Sequence, residues 1–337
     1  MLRGAIIGIG KIAQEGHMPA FLDPALASAG VSIVAAVDNN DATIKMAKAK
    51  FPGITYYRTI EEMYNNEDVD FIDICSPPDT HARIIEEGLQ KGVHILCEKP
   101  FVLKADDAER LYKRISESPN VFMPVHQYKY SPIWKRFKDE ISAGLEAKSI
   151  LQFNVFRTEA DNGIASVQNR WRTDPTVSGG GILSDTGVHY LYLSLWLLGK
   201  VNNVTSRILS ISHTEYSVED TALVILESEH GVAQISLTWG ADRRHNSAVL
   251  VNSTGSLIYN GTELVKHKPG GGSEKIPVPD ASDKRNYVSL YVSLLREFLG
   301  QITRGQKDNC HLDEAYKSIR LLHSCYRAAE LNQTVGL

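Results

Sequence analysis

The stretch GAIIGIGKIA, residues 4–13, joins a short apolar run to a glycine-containing turn and the start of a helical pattern. Gly8 permits a tight turn, and Gly10 lets a pyrophosphate approach the backbone. Ala13 stands where the third glycine of a dinucleotide-binding turn allows helix and strand to meet. Similar turns also form for purely steric reasons, so the surrounding sequence must decide whether this one binds a dinucleotide.

The first third of the chain alternates apolar runs with amphipathic helical patterns. The apolar runs, rich in isoleucine and valine, cover residues 4–9, 32–38, 71–77, 93–98 and 120–126. Continuous apolar strands separated by such helices predict a parallel sheet covered on both faces. The pattern therefore predicts an α/β, doubly wound Rossmann domain in residues 1–124.

The predicted second strand ends at Asp38. This acid follows the glycine turn by somewhat more than the roughly 20 positions typical of the ribose-binding acid. A carboxylate here would accept hydrogen bonds from the adenosine ribose and repel a 2′-phosphate. Because the neighbouring Asn39 and Asn40 bring no arginine for such a phosphate, the sequence predicts NAD rather than NADP. A solvated acid at a strand end is the alternative.

Another predicted strand runs into Glu98, Lys99 and Pro100. Ligands of open parallel sheets bind beyond the carboxyl ends of the strands, so we expect Lys99 in the cofactor crevice. The restricted backbone of Pro100 would aim the lysine side chain. A solvated lysine at a strand end is the plainer alternative.

The pattern changes after residue 124. Predicted strands, separated by turn residues, cover residues 148–157, 201–212, 221–228, 232–239, 247–254 and 255–260. They indicate a second α/β domain, residues 125–337, with a large, mostly antiparallel open sheet. The glycine-rich stretch at 268–283 predicts a loop. Since a broad apolar sheet face usually contacts a partner, we expect a homodimer or homotetramer through this sheet.

The segment SGGGILSDTGVHYLYLSLWLLG, residues 178–199, begins a mostly apolar helix with Asp185 and His189. Residues four apart lie on one helix face. Histidine titrates near neutrality and could remove a hydroxyl proton, and the nearby acid could orient its ring. Glycines 179–181 carry no Cβ and would let a substrate approach. In the structural alternative, Asp185 caps the helix and His189 only hydrogen-bonds to it.

Four motifs together resemble the family of glucose–fructose oxidoreductase, inositol dehydrogenase and rhizopine catabolism proteins (Gfo/Idh/MocA). They are GIGKIA at 8–13, DICSPPDTH at 73–81, CEKP at 97–100 and the glycine–helix segment at 178–199. The resemblance covers nearly the whole chain. It implies a dinucleotide fold followed by a mixed α/β domain on a large open sheet.

The resemblance also implies that Lys99, Asp185 and His189 are catalytic, although it does not divide proton transfer between Lys99 and His189. It places Ser76, Pro77 and His81 along the cofactor crevice. The predicted cofactor-binding residues are Gly8, Gly10, Lys11, Ile12, Asp38, Asn39, Ser76, Pro77, His81, Glu98 and Lys99.

Two positions depart from the family pattern. Tyr192 stands three residues beyond His189, where many members carry a second acid. His126 occupies a position where asparagine is common. These departures leave the catalytic residues in place but weaken any analogy to the substrate group of a particular member.

Substrate recognition is less clearly marked. Arginines gather in two segments near the presumed cleft: Arg157, Arg170, Arg172, Arg243 and Arg244. Guanidinium groups suit carboxylates and phosphates, but pairing with nearby acids is equally open. Trp171 could stack on a sugar ring or fill a domain junction. The predicted substrate-binding residues are Lys99, Gln127, Arg157, Trp171, Arg172, Asp185 and His189.

Composition restricts the other classes of function. The chain has 337 residues, 43% hydrophobic content and a net charge of -4 with dispersed basic residues. We therefore expect two domains and neither a nucleic-acid nor a membrane partner. The four cysteines, Cys75, Cys97, Cys310 and Cys325, lack metal-ligand spacing, so a reduced, cytoplasmic protein without a catalytic metal is expected.

The predicted function is an NAD-dependent dehydrogenase that moves a hydride between nicotinamide and a ring secondary alcohol. The substrate would be a sugar or cyclitol, free, phosphorylated or nucleotide-linked. One alternative is an NAD(P)-binding transcriptional regulator without turnover. Another is a glycosidase that uses NAD for transient oxidation. The particular sugar, the carbon oxidised and the direction of reaction do not follow from the sequence.

Overall fold

The structure is a computed structural model that describes residues 1–144, 148–164, 170–278 and 286–337. The chain forms two compact units, each built from separated segments. The first unit comprises Met1–Gln127, Asn162–Trp171 and Tyr287–Tyr316. The second unit comprises Tyr128–Asp161, Arg172–Asn286 and Lys317–Leu337. The boundary between independently folding domains after residue 124 stays a prediction.

Strands and helices alternate in the first unit and segregate in the second. The strands are β1 (Leu2–Ile7), β2 (Val31–Val37), β3 (Thr55–Tyr57), β4 (Phe71–Ile74), β5 (His94–Cys97), β6 (Phe122–Pro124), β7 (Ser149–Phe156), β8 (Val201–Leu209), β9 (Thr221–Ser228), β10 (Gly231–Thr238), β11 (His245–Asn252), β12 (Gly255–Tyr259), β13 (Glu263–His267), β14 (Ser273–Pro277) and β15 (Val335–Gly336). The α-helices are α1 (Met18–Phe21), α2 (Asp41–Lys50), α3 (Ile60–Asn66), α4 (His81–Lys91), α5 (Ala105–Glu117), α6 (Pro132–Ala143), α7 (Pro175–Ser178), α8 (Val188–Leu198), α9 (Tyr287–Arg304) and α10 (Cys310–Leu331).

The first unit contains a six-stranded sheet in the order β3-β2-β1-β4-β5-β6. Its adjacent strands are parallel, which confirms the predicted Rossmann sheet. β1 and β4 are central neighbours, at the point where open α/β sheets bind ligands. β4 is buried at all of its positions, which explains its continuous apolar sequence. The apolar pattern does not predict β3, which is short and lies at the sheet edge.

The second unit contains a nine-stranded sheet in the order β14-β13-β12-β11-β7-β10-β9-β8-β15. β7 and β10 are parallel and the other neighbours are antiparallel, which confirms the predicted mostly antiparallel sheet. Burial alternates along β7, β9 and β10, so one face is covered and the other is exposed. On the covered side, Trp134 of α6 contacts the rings of Phe153, Tyr190 and Tyr259.

The loop predicted at 268–283 is wrong for Ser273–Pro277, which form the edge strand β14. This strand is largely exposed and pairs with β13 through backbone hydrogen bonds. Because it buries little apolar surface, its sequence lacks the alternation by which a half-buried strand is recognised. The predicted loop residues 279–283 lie outside the described residues.

In the part of the chain that the structure describes, no helix combines the length and the apolar character that a membrane span requires.

Candidate active site

The glycine turn after β1 has the geometry of a dinucleotide-binding turn. Gly8 has a φ of 90°, in the region that favours glycine, and a methyl group there would overlap the backbone of Ser76. A methyl group on Gly10 would meet nothing within 4 Å. Gly8 is therefore required by the packing of the protein itself, whereas Gly10 leaves open space for a ligand to approach its backbone.

Asp38, at the end of β2, is tied to the same turn. One carboxylate oxygen accepts a hydrogen bond from the Ile9 backbone nitrogen at 2.8 Å. The other accepts from the Asn40 backbone nitrogen at 2.9 Å. An ionised carboxylate has about four acceptor positions, so both oxygens can still accept from ribose hydroxyls.

An arginine does lie beside this acid, although the local sequence shows none. Arg58, which follows β3, donates from Nη2 to the Asn39 carbonyl oxygen at 3.3 Å. Its Nη1 forms an ion pair with Asp41 at 2.9 Å. The residues next to Asp38 in sequence therefore supply no arginine for a 2′-phosphate, but Arg58 lies close to the same loop in the folded chain.

A cavity of about 550 Å³ opens beside the turn. Its lining includes Gly8, Asp38, Asn39, Ser76 and Pro77, together with Arg58. These residues combine a glycine backbone, a ribose-type acid and a partly apolar wall. The first unit therefore offers what the adenosine end of NAD requires.

Glu98, predicted to bind the cofactor, belongs to a buried network around His17. His17 Nδ1 lies 2.7 Å from Asp73 Oδ2, and its Nε2 lies 3.0 Å from Glu98 Oε1. The Tyr291 hydroxyl donates to the same Glu98 oxygen at 3.1 Å. The other Glu98 oxygen accepts from the Lys99 backbone nitrogen at 3.1 Å. The network thus connects the first helical turn, β4, α9 and the residue that precedes Lys99.

The electrostatics of this network favour a charged His17. Burial disfavours the imidazolium, but the negative charges around it, led by that of Asp73, raise the pKa of His17 well above its ordinary value. Burial also disfavours the Glu98 carboxylate, but the hydrogen bond and charge of His17 lower the pKa of Glu98. We conclude that an imidazolium lies between two carboxylates inside the first unit.

His81, another predicted cofactor residue, is fully buried. Its Nδ1 lies 2.9 Å from the Pro100 carbonyl oxygen and its Nε2 lies 2.9 Å from the Ser76 carbonyl oxygen. Burial lowers the pKa of His81. The ring therefore connects the end of β4 with the bend at Lys99 and Pro100, whereas Ser76 itself lines the cavity.

Gln127 follows β6 and is 3% exposed. Its amide nitrogen donates to the Tyr291 hydroxyl at 3.4 Å. Within the described residues, its amide oxygen is buried and has no hydrogen-bond partner. A buried acceptor is costly when unsatisfied, so this oxygen is suited to receive a donor from a bound ligand.

In the second unit, the glycines before α8 are required mainly by contacts inside the protein. A methyl group on Gly180 would overlap the Tyr326 hydroxyl, and one on Gly181 would overlap the Glu219 backbone. The Glu219 carboxylate accepts hydrogen bonds from the Gly181 nitrogen at 2.8 Å and from the Tyr326 hydroxyl at 2.8 Å. The expected role of these glycines in admitting substrate is therefore not needed to explain them.

His189 lies in the first turn of α8, just after one π-type turn at Leu183–Gly187. It is 6% exposed. Its Nδ1 lies 3.0 Å from the Tyr192 hydroxyl, and the Tyr128 ring stacks on the imidazole with centroids 4.3 Å apart. Single π-type turns inside α-helices occur frequently at functional sites.

Asp185 lies within that π-type turn and pairs with Arg172. Arg172 Nε donates to Asp185 Oδ1 at 3.2 Å, and its Nη1 donates to the Asp161 carbonyl oxygen at 3.1 Å. The acid thus contacts the guanidinium of a predicted substrate residue. The expected role of Asp185 in orienting the His189 ring stays a prediction.

The other two predicted substrate residues differ in exposure. Arg157 is 7% exposed, and its Nη1 donates to the Phe156 carbonyl at 2.7 Å and to Asn246 Oδ1 at 2.8 Å. Through these contacts Arg157 joins the end of β7 to β11. Trp171 is half-buried at the start of the 3₁₀ turn Trp171–Thr173.

The parallel sheet, the glycine turn and the acid at the end of β2 define a dinucleotide-binding Rossmann domain. A family described as "Oxidoreductase family, NAD-binding Rossmann fold" (GFO_IDH_MocA) matches residues 2–126. The "GFO/IDH/MocA C-terminal domain" matches residues 146–258. The chain therefore belongs to the Gfo/Idh/MocA oxidoreductase family, and its cofactor domain is an NAD-binding Rossmann domain.

Named relatives agree with this membership. The chain is 28% identical over 238 residues to oxidoreductase P35 of Formosa agariphila, covering 69% of this chain and 71% of that protein. It is 22% identical over 354 residues to D-apiose dehydrogenase of Rhizobium rhizogenes, covering 100% and 97%. Levoglucosan dehydrogenase in complex with NADH has the same fold, with a TM-score of 0.86, 18% identity, and coverage of 99% and 98%.

Several residues of these sites were not predicted from the sequence: Arg58, His17, Asp73, Tyr128 and Tyr291. For Tyr192 a signal existed, because it replaces an acid of the family pattern. Among the described residues, two groups bring possible metal-ligand atoms within 4.8 Å of one another, namely His17, Asp73, Cys75 and Asp308, Cys310, His311. Catalysis without a metal stays a prediction.

Proposed function

We propose that the protein is an NAD-dependent dehydrogenase acting on a ring secondary alcohol of a sugar or cyclitol, free, phosphorylated or nucleotide-linked. The observation that carries the proposal is the buried His189 at the start of α8, where its ring contacts Tyr192, together with the ion pair between Arg172 and Asp185 of the preceding turn. Membership of the chain in the NAD-binding oxidoreductase family supports the proposal. So do relatives named D-apiose dehydrogenase and levoglucosan dehydrogenase.

When bound, NAD supplies the nicotinamide carbon that accepts the hydride. We assign the pyrophosphate to the turn at Gly8, Gly10, Lys11 and Ile12. We assign the ribose and adenine to Asp38, Asn39, Ser76 and Pro77. Glu98 and His81 hold the backbone around Lys99, and the unsatisfied oxygen of Gln127 supports a contact with the ligand. The carboxylate of Asp38 favours NAD over NADP.

Lys99, Asp185 and His189 are the proposed catalytic residues. Oxidation of an alcohol requires a group that removes the hydroxyl proton and groups that stabilise the negative charge on its oxygen. We propose that Lys99 and His189 serve these two roles, without dividing proton transfer between them. Asp185 positions Arg172, and we propose Arg172 rather than the buried Arg157 as the contact for an anionic group of the substrate. Trp171 is proposed to contact the sugar ring.

The test is reduction of NAD against a panel of sugars, cyclitols, uronates and sugar phosphates. Turnover of any of them supports the proposal, and a preference for the anionic substrates supports the role of Arg172. Cofactor binding without turnover on the whole panel would instead favour a regulator. Release of an aglycone from aryl glycosides without net NADH would favour a glycosidase.

We also propose that the exposed face of the second sheet forms a homodimer or homotetramer. Large apolar side chains on that face are exposed, namely Ile150, Leu223, Ile225, Val232 and Val251. A face of this kind normally contacts a partner. Analytical ultracentrifugation should show an oligomer at micromolar concentration, and Val232→Lys should shift it toward monomer. A wild-type protein that is only monomeric would refute the proposal.

A further inference from the structure

The connection between α9 and α10 brings three different metal-binding side chains together. Asp308, Cys310 and His311 each offer one ligand atom, and these atoms lie within 4.8 Å of one another. The closest described contact among them joins Cys310 Sγ to Asp308 Oδ2 at 3.0 Å. The ligand atoms of a tetrahedral zinc ion lie about 3.5 Å apart, so side-chain shifts of about an ångström would bring all three onto one ion.

Capping of α10 explains only part of this arrangement. Asp308 Oδ1 accepts a hydrogen bond from the Cys310 backbone nitrogen at 2.8 Å, which satisfies a donor at the start of the helix. The cap uses one carboxylate oxygen, and it requires neither a thiol at the other oxygen nor an imidazole beside them. A thiol, an imidazole and a carboxylate are, however, the ligand types that zinc combines.

The cluster is open to solvent on one side and braced on the other. Asp308 and Cys310 are exposed, so an ion can reach them. His311 is 6% exposed, and its Nε2 lies 2.6 Å from Glu297 Oε1 of α9. A carboxylate commonly orients the ring of a metal-binding histidine in this way. The Asp308 backbone nitrogen also donates to the buried Gln301 side chain at 3.1 Å, which fixes the loop before α10.

The other cluster of possible metal ligands, His17, Asp73 and Cys75, is less suited to an ion. All three residues are buried. Both ring nitrogens of His17 lie within hydrogen-bond distance of carboxylates. The thiolate is the form of cysteine that binds metals, and burial raises the pKa of Cys75. The cluster at the start of α10 is therefore the better candidate.

We propose that Asp308, Cys310 and His311 form a structural zinc site, with water as the fourth ligand and Glu297 as the group that positions the His311 ring. On binding, the Cys310 S–H bond breaks, its proton passes to solvent and a sulfur–zinc bond forms, while zinc keeps its oxidation state. The bound ion stabilises the start of α10. This site goes beyond the proposed dehydrogenase activity and does not depend on it.

Cobalt(II) is the direct probe, because it occupies tetrahedral zinc sites and, unlike zinc, absorbs visible light. The full-length protein is freed of metal with a chelator, kept reduced and titrated with cobalt chloride. We expect a thiolate-to-cobalt charge-transfer band and the visible bands of tetrahedral cobalt, saturating at one ion per chain. Zinc should abolish these bands by displacement, whereas excess magnesium should not, because magnesium prefers oxygen ligands.

Substitutions separate metal binding from capping and from net charge. Cys310→Ser should remove the charge-transfer band. Asp308→Asn and Asp313→Asn form a matched pair, because each removes one acid from the start of α10. Asparagine caps a helix as well as aspartate does. Asp308→Asn should nevertheless lower the affinity for zinc by roughly tenfold or more, since a lost ligand costs at least as much as a lost orienting group. Asp313→Asn should match the wild type.

A wild-type protein without the charge-transfer band would overturn the proposal, as would a band that persists in Cys310→Ser. An equal loss of affinity in the two aspartate variants would show a general charge effect and overturn Asp308 as a ligand. Zinc should also raise the unfolding temperature of the wild type but not of Cys310→Ser, and an unchanged wild-type temperature would overturn the structural role. If a variant does not fold, the wild-type titrations decide alone. None of these measurements depends on turnover.

Discussion

His17 and His189 are both buried, at 0% and 6% exposure, yet their surroundings differ. Each stands at a helix start that contains one π-type turn, in Ala13–His17 and Leu183–Gly187 respectively. The ring of His17 lies between the carboxylates of Asp73 and Glu98. The ring of His189 instead contacts the hydroxyl of Tyr192 and the ring face of Tyr128.

The difference separates a histidine held inside an ionic network from the histidine that we propose to be catalytic. Two carboxylates hold His17 as an imidazolium, with both ring nitrogens engaged and no exposed surface, so it has nothing to exchange with a substrate. His189 contacts the hydroxyl of Tyr192 and the ring of Tyr128, which are uncharged groups, and 6% of the residue is exposed. Burial alone therefore does not distinguish these two histidines.

The largest expected effect is on turnover in the second region. His189→Ala should lower kcat by roughly 10²–10⁴, the range for loss of a residue that assists proton transfer. Its unfolding midpoint should change little. Steady-state kinetics and urea unfolding measure the two quantities on the same samples. A variant that loses its fold instead of its activity would break the comparison, because His189 would then act as His17 does.

Substitution of His17, in the first unit, should lower the stability of the protein. His17→Ala removes one member of a buried ionic network and should lower the free energy of unfolding by about 3–5 kcal/mol, since two buried carboxylates lose their counter-charge. Urea unfolding measures this loss. The exposed His267 supplies a matched control, and His267→Ala should stay within about 0.5 kcal/mol of the wild type.

The pH dependence of stability sharpens the same contrast. Because the pKa of His17 is raised in the folded protein, the folded state binds its proton more tightly than the unfolded state. The stabilisation is fully present below the unfolded pKa of about 6.5 and is lost as the pH rises through the folded pKa. The stability difference between wild type and His17→Gln should thus shrink from about pH 7 towards alkaline pH, and a growing difference would contradict a charged His17.

A smaller effect is expected at Asp38, which combines structural and binding tasks. Asp38→Ala should lower the affinity for NAD by about tenfold, as expected when hydrogen bonds to a charged group are lost. It should lower the affinity for NADP less. The free energy of unfolding of this variant should also fall slightly, because the backbone nitrogens of Ile9 and Asn40 lose their hydrogen-bond acceptor. Titration calorimetry with NAD and with NADP measures the ratio of the two affinities. An unchanged NAD affinity would mean that the ribose contact is wrongly assigned.

Much of the fold could be predicted from local patterns. Apolar runs identify β1, β2, β4, β5 and β6, because strands buried on both faces must be apolar throughout. The edge strand β14 escaped prediction, since backbone pairing with β13 rather than burial holds it. Arg58 also escaped, because it reaches Asn39 from the next strand rather than from the neighbouring sequence.

In the candidate site, too, some residues could be predicted from the sequence and others could not. Asp185, His189 and the glycine turn could be proposed because their spacing and their family resemblance are visible in one dimension. The partners of the buried polar groups could not, because they come from distant elements. His17 meets Asp73 and Glu98 across separations of 56 and 81 positions.

The amino-acid order alone thus determined the family, the parallel and antiparallel sheets and the positions of the candidate catalytic side chains. Only the tertiary structure decided which buried group each of those side chains meets. The physical reason is that periodicity records which face of an element avoids water. The choice of a hydrogen-bond partner depends instead on atoms brought within about 3 Å by folding. Tyr192 and Tyr128, 64 positions apart, meet in this way, and both contact the His189 ring.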